Sequence, residues 1–141
     1  MFYLTLHQNR LFLTKEEHIA YWVRTANRDW RTVQDLYKSK NYLPALFFSH
    51  LVLEKLVKGH WVKDNASNTP PKIHNLIVLI DNTKYQITDD DKDFLRAMNQ
   101  FQLEGRYPDY KNTLYRLYKA TKTNNILNKV NIFRKCLLKN L

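Results

Sequence analysis

The sequence predicts an all-α protein, an up-and-down bundle of about five or six helices. Three observations predict it. Among 141 residues there are two Gly and four Pro against 44% apolar residues, a balance that suits packed helices and argues against a turn-rich β-fold or a disordered chain. Several stretches place apolar residues three and four apart, the period of one buried helical face. Residues 42–63, YLPALFFSHLVLEKLVKGHWVK, carry apolar side chains in nearly every direction around a helix. Such a helix is one against which others pack.

Taken in order, residues 1–13 read as an N-terminal arm and 14–141 as one bundle. In the arm, alternating Phe2, Leu4 and Leu6 suit a short extended piece lying on the bundle or on a second subunit. His7 and Arg10 interrupt its apolar run, so it does not have the form of a secretion signal. Thr14-Lys15-Glu16-Glu17 has the form of a capping box and opens a first helix. Ile19, Val23, Ala26, Trp30, Val33 and Tyr37 make its buried stripe; Arg24, Arg28, Arg31, Gln34, Asp35 and Lys38 lie opposite. Lys40-Asn41 turns the chain, and Pro44 falls in the first turn of the central helix, where a missing N–H costs little. An antiparallel hairpin follows.

On the central helix, His50, Glu54 and Lys58 recur at every fourth position and share one polar stripe, with Lys55 beside it. Charge breaks the helix too often for it to cross a bilayer. Residues 64–72, DNASNTPPK, are a polar loop ended by two prolines. Residues 73–81, IHNLIVLID, are too short for periodicity to separate helix from strand, but their neighbours favour a helix. Thr88 caps the next helix. Asp89, Asp90, Asp91 and Asp93 in its first turn sit at the positive end of the helix dipole. That accounts for these acids better than a magnesium site, which needs ligands converging from separate elements. Phe94, Leu95, Met98 and Phe101 are its buried face and Gly105 its stop. After a rigid RYPDY connector, Leu114, Leu117 and Tyr118 begin another helical stretch, with a break expected near residues 121–125. Ile126, Val130, Phe133 and Leu137 form the last buried stripe.

The net charge is +10, a self-repulsion that an anionic partner relieves. It is unevenly placed: residues 111–141 hold eight Lys or Arg and no acid, whereas residues 81–93 hold five Asp. A nucleic acid, a nucleotide or an acidic protein fits this face, and so does plain solvation. Arg24, Arg28 and Arg31 with the basic tail suggest a nucleic-acid track, but no stacking aromatics interleave them on the exposed side. The lone Cys136 excludes an internal disulfide framework and a cysteine-based zinc site. It is expected to be a half-buried spacer in a reducing, cytoplasmic setting. Two glycines, Gly59 and Gly105, cannot build a phosphate loop; no His-Glu-x-x-His occurs and no serine sits on a nucleophile elbow. No metal and no cofactor are expected.

Tyr42 followed by Ala45 and Phe48, then Glu54-Lys55-x-x-Lys58, a proline loop with His74-Asn75-Leu76, and Arg106-Tyr107-Pro108-Asp109 together resemble the HEPN domain, from about Ile19 onward. The resemblance implies a helical bundle, usually a homodimer. It also implies association with minimal nucleotidyltransferases in toxin–antitoxin-like pairs. HEPN members that cut RNA share an Arg followed, after four to six residues, by a His. No Arg of this chain meets that rule. Metal-independent cleavage needs a group that moves protons near neutral pH, so no catalytic residue is assigned.

The remaining candidates form a phosphate or nucleotide site of Lys55, Lys58, His74, Arg106 and Tyr107, with Glu54 and Asp109 in support. Each has a plainer alternative. Glu54 and Lys58 make a favourable i,i+4 pair worth about 0.2–0.5 kcal/mol when exposed. His74 can cap a helix, and Arg106 can bridge to Asp109 or Glu104 instead of forking onto phosphate. The expected function is a non-catalytic HEPN-like module that binds a nucleotide, RNA or other polyanion and pairs with a nucleotidyltransferase. The alternatives are a divergent RNA-cleaving toxin and a purely dimeric scaffold.

Overall fold

The structure, a computed structural model, describes residues 13–106 and 113–141, the side chains of 104–106 apart. Among the described residues it has six helices and no strand: α1 Lys15–Lys38, α2 Tyr42–Asp64, α3 Leu76–Asp81, α4 Asp89–Arg106, α5 Thr113–Leu117 and α6 Ala120–Lys139. The all-α bundle expected from composition and periodicity is what forms. The expected N-terminal arm, save Leu13, lies outside the described residues.

The capping box at Thr14 closes as its spacing requires: Thr14 Oγ1 accepts from Glu17 N at 3.1 Å, and Thr14 N donates back to Glu17 Oε1 at 3.4 Å. Along α1, Ala26 and Val33 are buried while Arg24, Arg28, Arg31, Gln34, Asp35 and Lys38 face solvent. The chain then reverses through Lys40, whose φ of 65° is left-handed backbone that a side chain disfavours. Lys15 fastens the far end of the hairpin. Its ammonium donates to Val62 O at 2.7 Å and Asn65 O at 2.8 Å, the open carbonyls where α2 stops.

α2 is the axis. Thirteen of its 23 residues are buried, and they point in all directions. α1, α3, α4, α5 and α6 all pack on it. Leu46, Val52, Leu53, Leu56 and Val57 are wholly removed from water. Each such side chain contributes about 1.5–3 kcal/mol, so no other element does as much for the core.

α3 is a short helix whose cap is Asn75: its Oδ1 accepts from Ile77 N at 3.0 Å and from Val78 N at 3.3 Å. Thr88 caps α4 through Asp91 N at 3.1 Å. The last break falls at Tyr118-Lys119, earlier than residues 121–125, because Lys119 rather than the Thr-Asn run begins the final helix. Cys136 is exposed, not half-buried. It sits one position before Leu137, which takes the inward place on α6. No helix among the described residues is long and apolar enough to cross a membrane.

Candidate functional site

The polar stripe of α2 is buried at the joint where α1, the 64–75 loop and α4 meet. Glu54 is its centre. Its Oε2 accepts from Lys58 Nζ at 3.1 Å, and its Oε1 lies 3.0 Å from His74 Nδ1 and 3.8 Å from His50 Nδ1. The Glu54 and Lys58 side chains are only 6% and 9% exposed, so the pair is no solvated surface bridge. Removing the Glu54 charge would strand the Lys58 ammonium in the interior. Lys58 also lies over the Trp22 ring of α1, 5.6 Å from its centroid, a cation–π contact that adds to its anchorage.

His50 has no solvent exposure, and its Nε2 lies 3.3 Å from Asn99 Oδ1 on α4. That oxygen also accepts from Leu76 N at 3.1 Å, and Asn99 Nδ2 donates to Asn75 Oδ1 at 3.2 Å. Asn99 thus acts as acceptor toward the ring, which puts the imidazole proton on Nε2 and leaves Nδ1 without a hydrogen-bond partner, facing Glu54. Burial holds His50 below its ordinary pKa, against the opposing pull of the Glu54 charge. His60, one exposed percent, donates from Nε2 to Leu137 O at 2.9 Å; burial lowers its pKa too.

Of the residues expected to form a ligand site, Glu54, Lys58 and His74 come together. Lys55 leaves the stripe by one residue's rotation and meets Asp29 of α1 at 2.5 Å. His74 does not cap α3: Asn75 does, and the imidazole instead ties the loop to Glu54. The side chain of Arg106, together with Tyr107 and Asp109, lies outside the described residues. Around the joint, Lys55 and Lys58 are balanced by Asp29 and Glu54, so an incoming phosphate has to compete with two carboxylates already in place. His74, with its side chain 42% exposed, is the part of the cluster open to solvent. Among the described residues no group of three or more His, Cys, Asp or Glu is arranged to hold a metal ion.

Sequence reasoning missed Asp29, Asn99 and His60. Asp29 interrupts an apolar stripe on α1, a signal that a partner waits across the interface. Asn99 and His60 gave no such signal, since their partners lie 23 to 77 residues away.

A family model of the HEPN domain matches residues 19–141. The chain belongs to the HEPN family. The match begins inside α1 and runs through α6, so the whole hairpin-centred bundle but its first turn is the HEPN domain. No curated protein and no solved structure matches it significantly. Within this HEPN domain, the Glu54 joint links the central helix to the His74–Asn75 segment that starts α3.

Proposed function

We propose that this HEPN domain is a non-catalytic module that binds a nucleotide, RNA or other polyanion and docks on a nucleotidyltransferase, in the manner of a toxin–antitoxin-like pair. The observation that carries the reading is charge: eight Lys or Arg and no acid lie in residues 111–141. Among the described residues, Arg116, Lys119, Lys122, Lys129, Lys135 and Lys139 of this stretch are exposed, whereas the lysines of the joint are already matched by carboxylates. The proposed ligand-contacting set is Lys55, Lys58, His74, Arg106 and Tyr107, steadied by Glu54 and Asp109, in a homodimer in the cytoplasm. No Arg is followed by a His at the distance that RNA-cleaving HEPN members use.

Thermal unfolding with ATP, AMP or inorganic phosphate tests the reading. A ligand at 100 times its dissociation constant stabilises by about 2.7 kcal/mol. An unchanged midpoint at millimolar nucleotide and in the presence of heparin refutes polyanion binding and leaves the scaffold.

One observation favours a second reading, a divergent RNA-cleaving enzyme. The half-exposed His74 is paired with Glu54 at 3.0 Å, an arrangement able to take up and release a proton. Labelled RNA incubated without metal decides it: cleavage abolished by His74→Ala supports the enzyme, and intact RNA refutes it.

A further inference from the structure

α1 and α6 both pack on α2, and between them they leave a groove of about 290 Å³. It is bridged near each end. Tyr37 Oη donates to Ala120 O at 3.5 Å, and at the other end the Arg134 guanidinium lies 4.9 Å from the centre of the Trp30 ring. The helices therefore run antiparallel along it. Asn131 Oδ1 holds Arg134 in that stack, accepting from Nε at 3.1 Å and Nη2 at 2.9 Å.

The walls are unusual in their amides. Gln34 from α1 and Asn124, Asn128 and Asn131 from α6 line the groove. The three asparagines are spaced by four and three and so share one stripe. Asn is a poorer helix former than the Lys, Gln or Glu usual on an exposed face, so three on one stripe cost α6 stability. Among the described residues the amides of Gln34, Asn124 and Asn128 make no hydrogen bond to the rest of the chain. Each offers a donor and an acceptor in one plane, the pattern that matches the edge of a nucleobase. Arg31 and Lys38 continue the Gln34 stripe on α1, and Lys135 continues the asparagine stripe on α6; all three are exposed. Asp35 is the acid exposed on this part of α1, since Asp29 is taken by Lys55.

We propose that the α1–α6 groove reads the bases of single-stranded nucleic acid. Gln34, Asn124 and Asn128 meet base edges, the Trp30–Arg134 pair is the stacking plane, and Arg31, Lys38 and Lys135 hold phosphates. A duplex hides its base edges and stacks them internally, so it does not satisfy these groups. The proposal rests on the polyanion reading above, names single-stranded nucleic acid as the polyanion, and adds a contact surface separate from the Lys55, Lys58 and His74 set.

The test measures binding of a fluorescein-labelled 12-nucleotide single-stranded RNA, the same RNA as a duplex, and heparin. The wild-type chain is compared with Asn124→Ala/Asn128→Ala. Alanine is the better helix former, so the variant melts no lower than wild type. It nevertheless binds the single strand about tenfold more weakly, as expected for losing base contacts, with the salt dependence unchanged. Arg31→Ala/Lys38→Ala instead flattens the slope of log K against log salt by about 1.4. Wild type that binds RNA and heparin while the amide variant binds as tightly leaves the polyanion reading standing and overturns the groove. Equal affinity for duplex and single strand overturns it too, as does a change of oligomeric state in the amide variant, which would give the groove to a second copy. Binding to neither RNA nor heparin overturns both.

Discussion

Replacing Glu54 by Gln tests whether the joint is a buried charge network. The Lys58 ammonium lies 3.1 Å from Glu54 Oε2 in a pair less than a tenth exposed, and no other carboxylate among the described residues bridges to it. At an effective dielectric constant near 20, two unit charges at that distance attract by about 5 kcal/mol, most of which offsets their desolvation. Gln keeps the shape and one acceptor but removes the charge. Lys58 is then an uncompensated buried cation, a situation that costs about 3–5 kcal/mol. The amide oxygen still accepts from the ammonium, so we expect the low end, about 3 kcal/mol. Lys58→Met should cost less, about 1–2 kcal/mol, because His74 still faces the carboxylate and a buried cation has gone. The double variant should lose well under the sum of the two, a coupling of about 2–3 kcal/mol. Urea unfolding at pH 7 followed by far-ultraviolet circular dichroism measures all four states. A Glu54→Gln loss below about 1 kcal/mol, with additive effects in the double variant, would mean a solvated i,i+4 pair and refute the reasoning.

Three further outcomes follow from the same geometry. His50 and His60 are held below their ordinary pKa of 6.5, mainly by burial, so the unfolded chain takes up protons at a higher pH than the folded one. Stability is therefore full above pH 6.5 and falls below it by about 1.4 kcal/mol per pH unit per imidazole, until the folded values are reached. Urea midpoints from pH 7.5 to 5.5 should show this, His60→Gln should shallow it, and a flat profile would contradict it. Lys40→Gly relieves the left-handed φ of 65° and should stabilise by about 0.5–1 kcal/mol after the added freedom of the unfolded chain is counted; a lower melting midpoint would speak against strain there. Asn75→Ala removes the α3 cap and the acceptor for Asn99, and should cost about 1–2 kcal/mol; hydrogen exchange should rise first at Ile77 and Val78, whose amides it frees.

The joint also explains why a charged seam belongs in so apolar a helix. Glu54 reaches the loop before α3 through His74, Lys55 reaches α1 through Asp29, and His50 reaches α4 through Asn99. Apolar packing alone is non-directional and would let α3 and α4 slide on α2. These bonds set one register among elements that the core only attracts.

Helix identity and order were readable from the chain because their causes are local. The Thr14-x-x-Glu17 box, the stripe from Ile19 to Tyr37 and the Thr88 cap each act within a turn or a few turns, and the structure repeats them. The Glu54–Lys58 pair was readable for the same reason: four residues separate it on one helix. Which group answers each remaining charge was not readable. Lys55 turns to Asp29, Lys15 to the end of α2, His60 to Leu137 and Trp30 to Arg134, across 26 to 104 residues of sequence. Periodicity says which face a residue occupies, but not which helix lies opposite or at what height. Those are settled when the whole core closes around α2, because only then do side chains distant in the chain come within the few ångströms at which a hydrogen bond or a stacked cation acts.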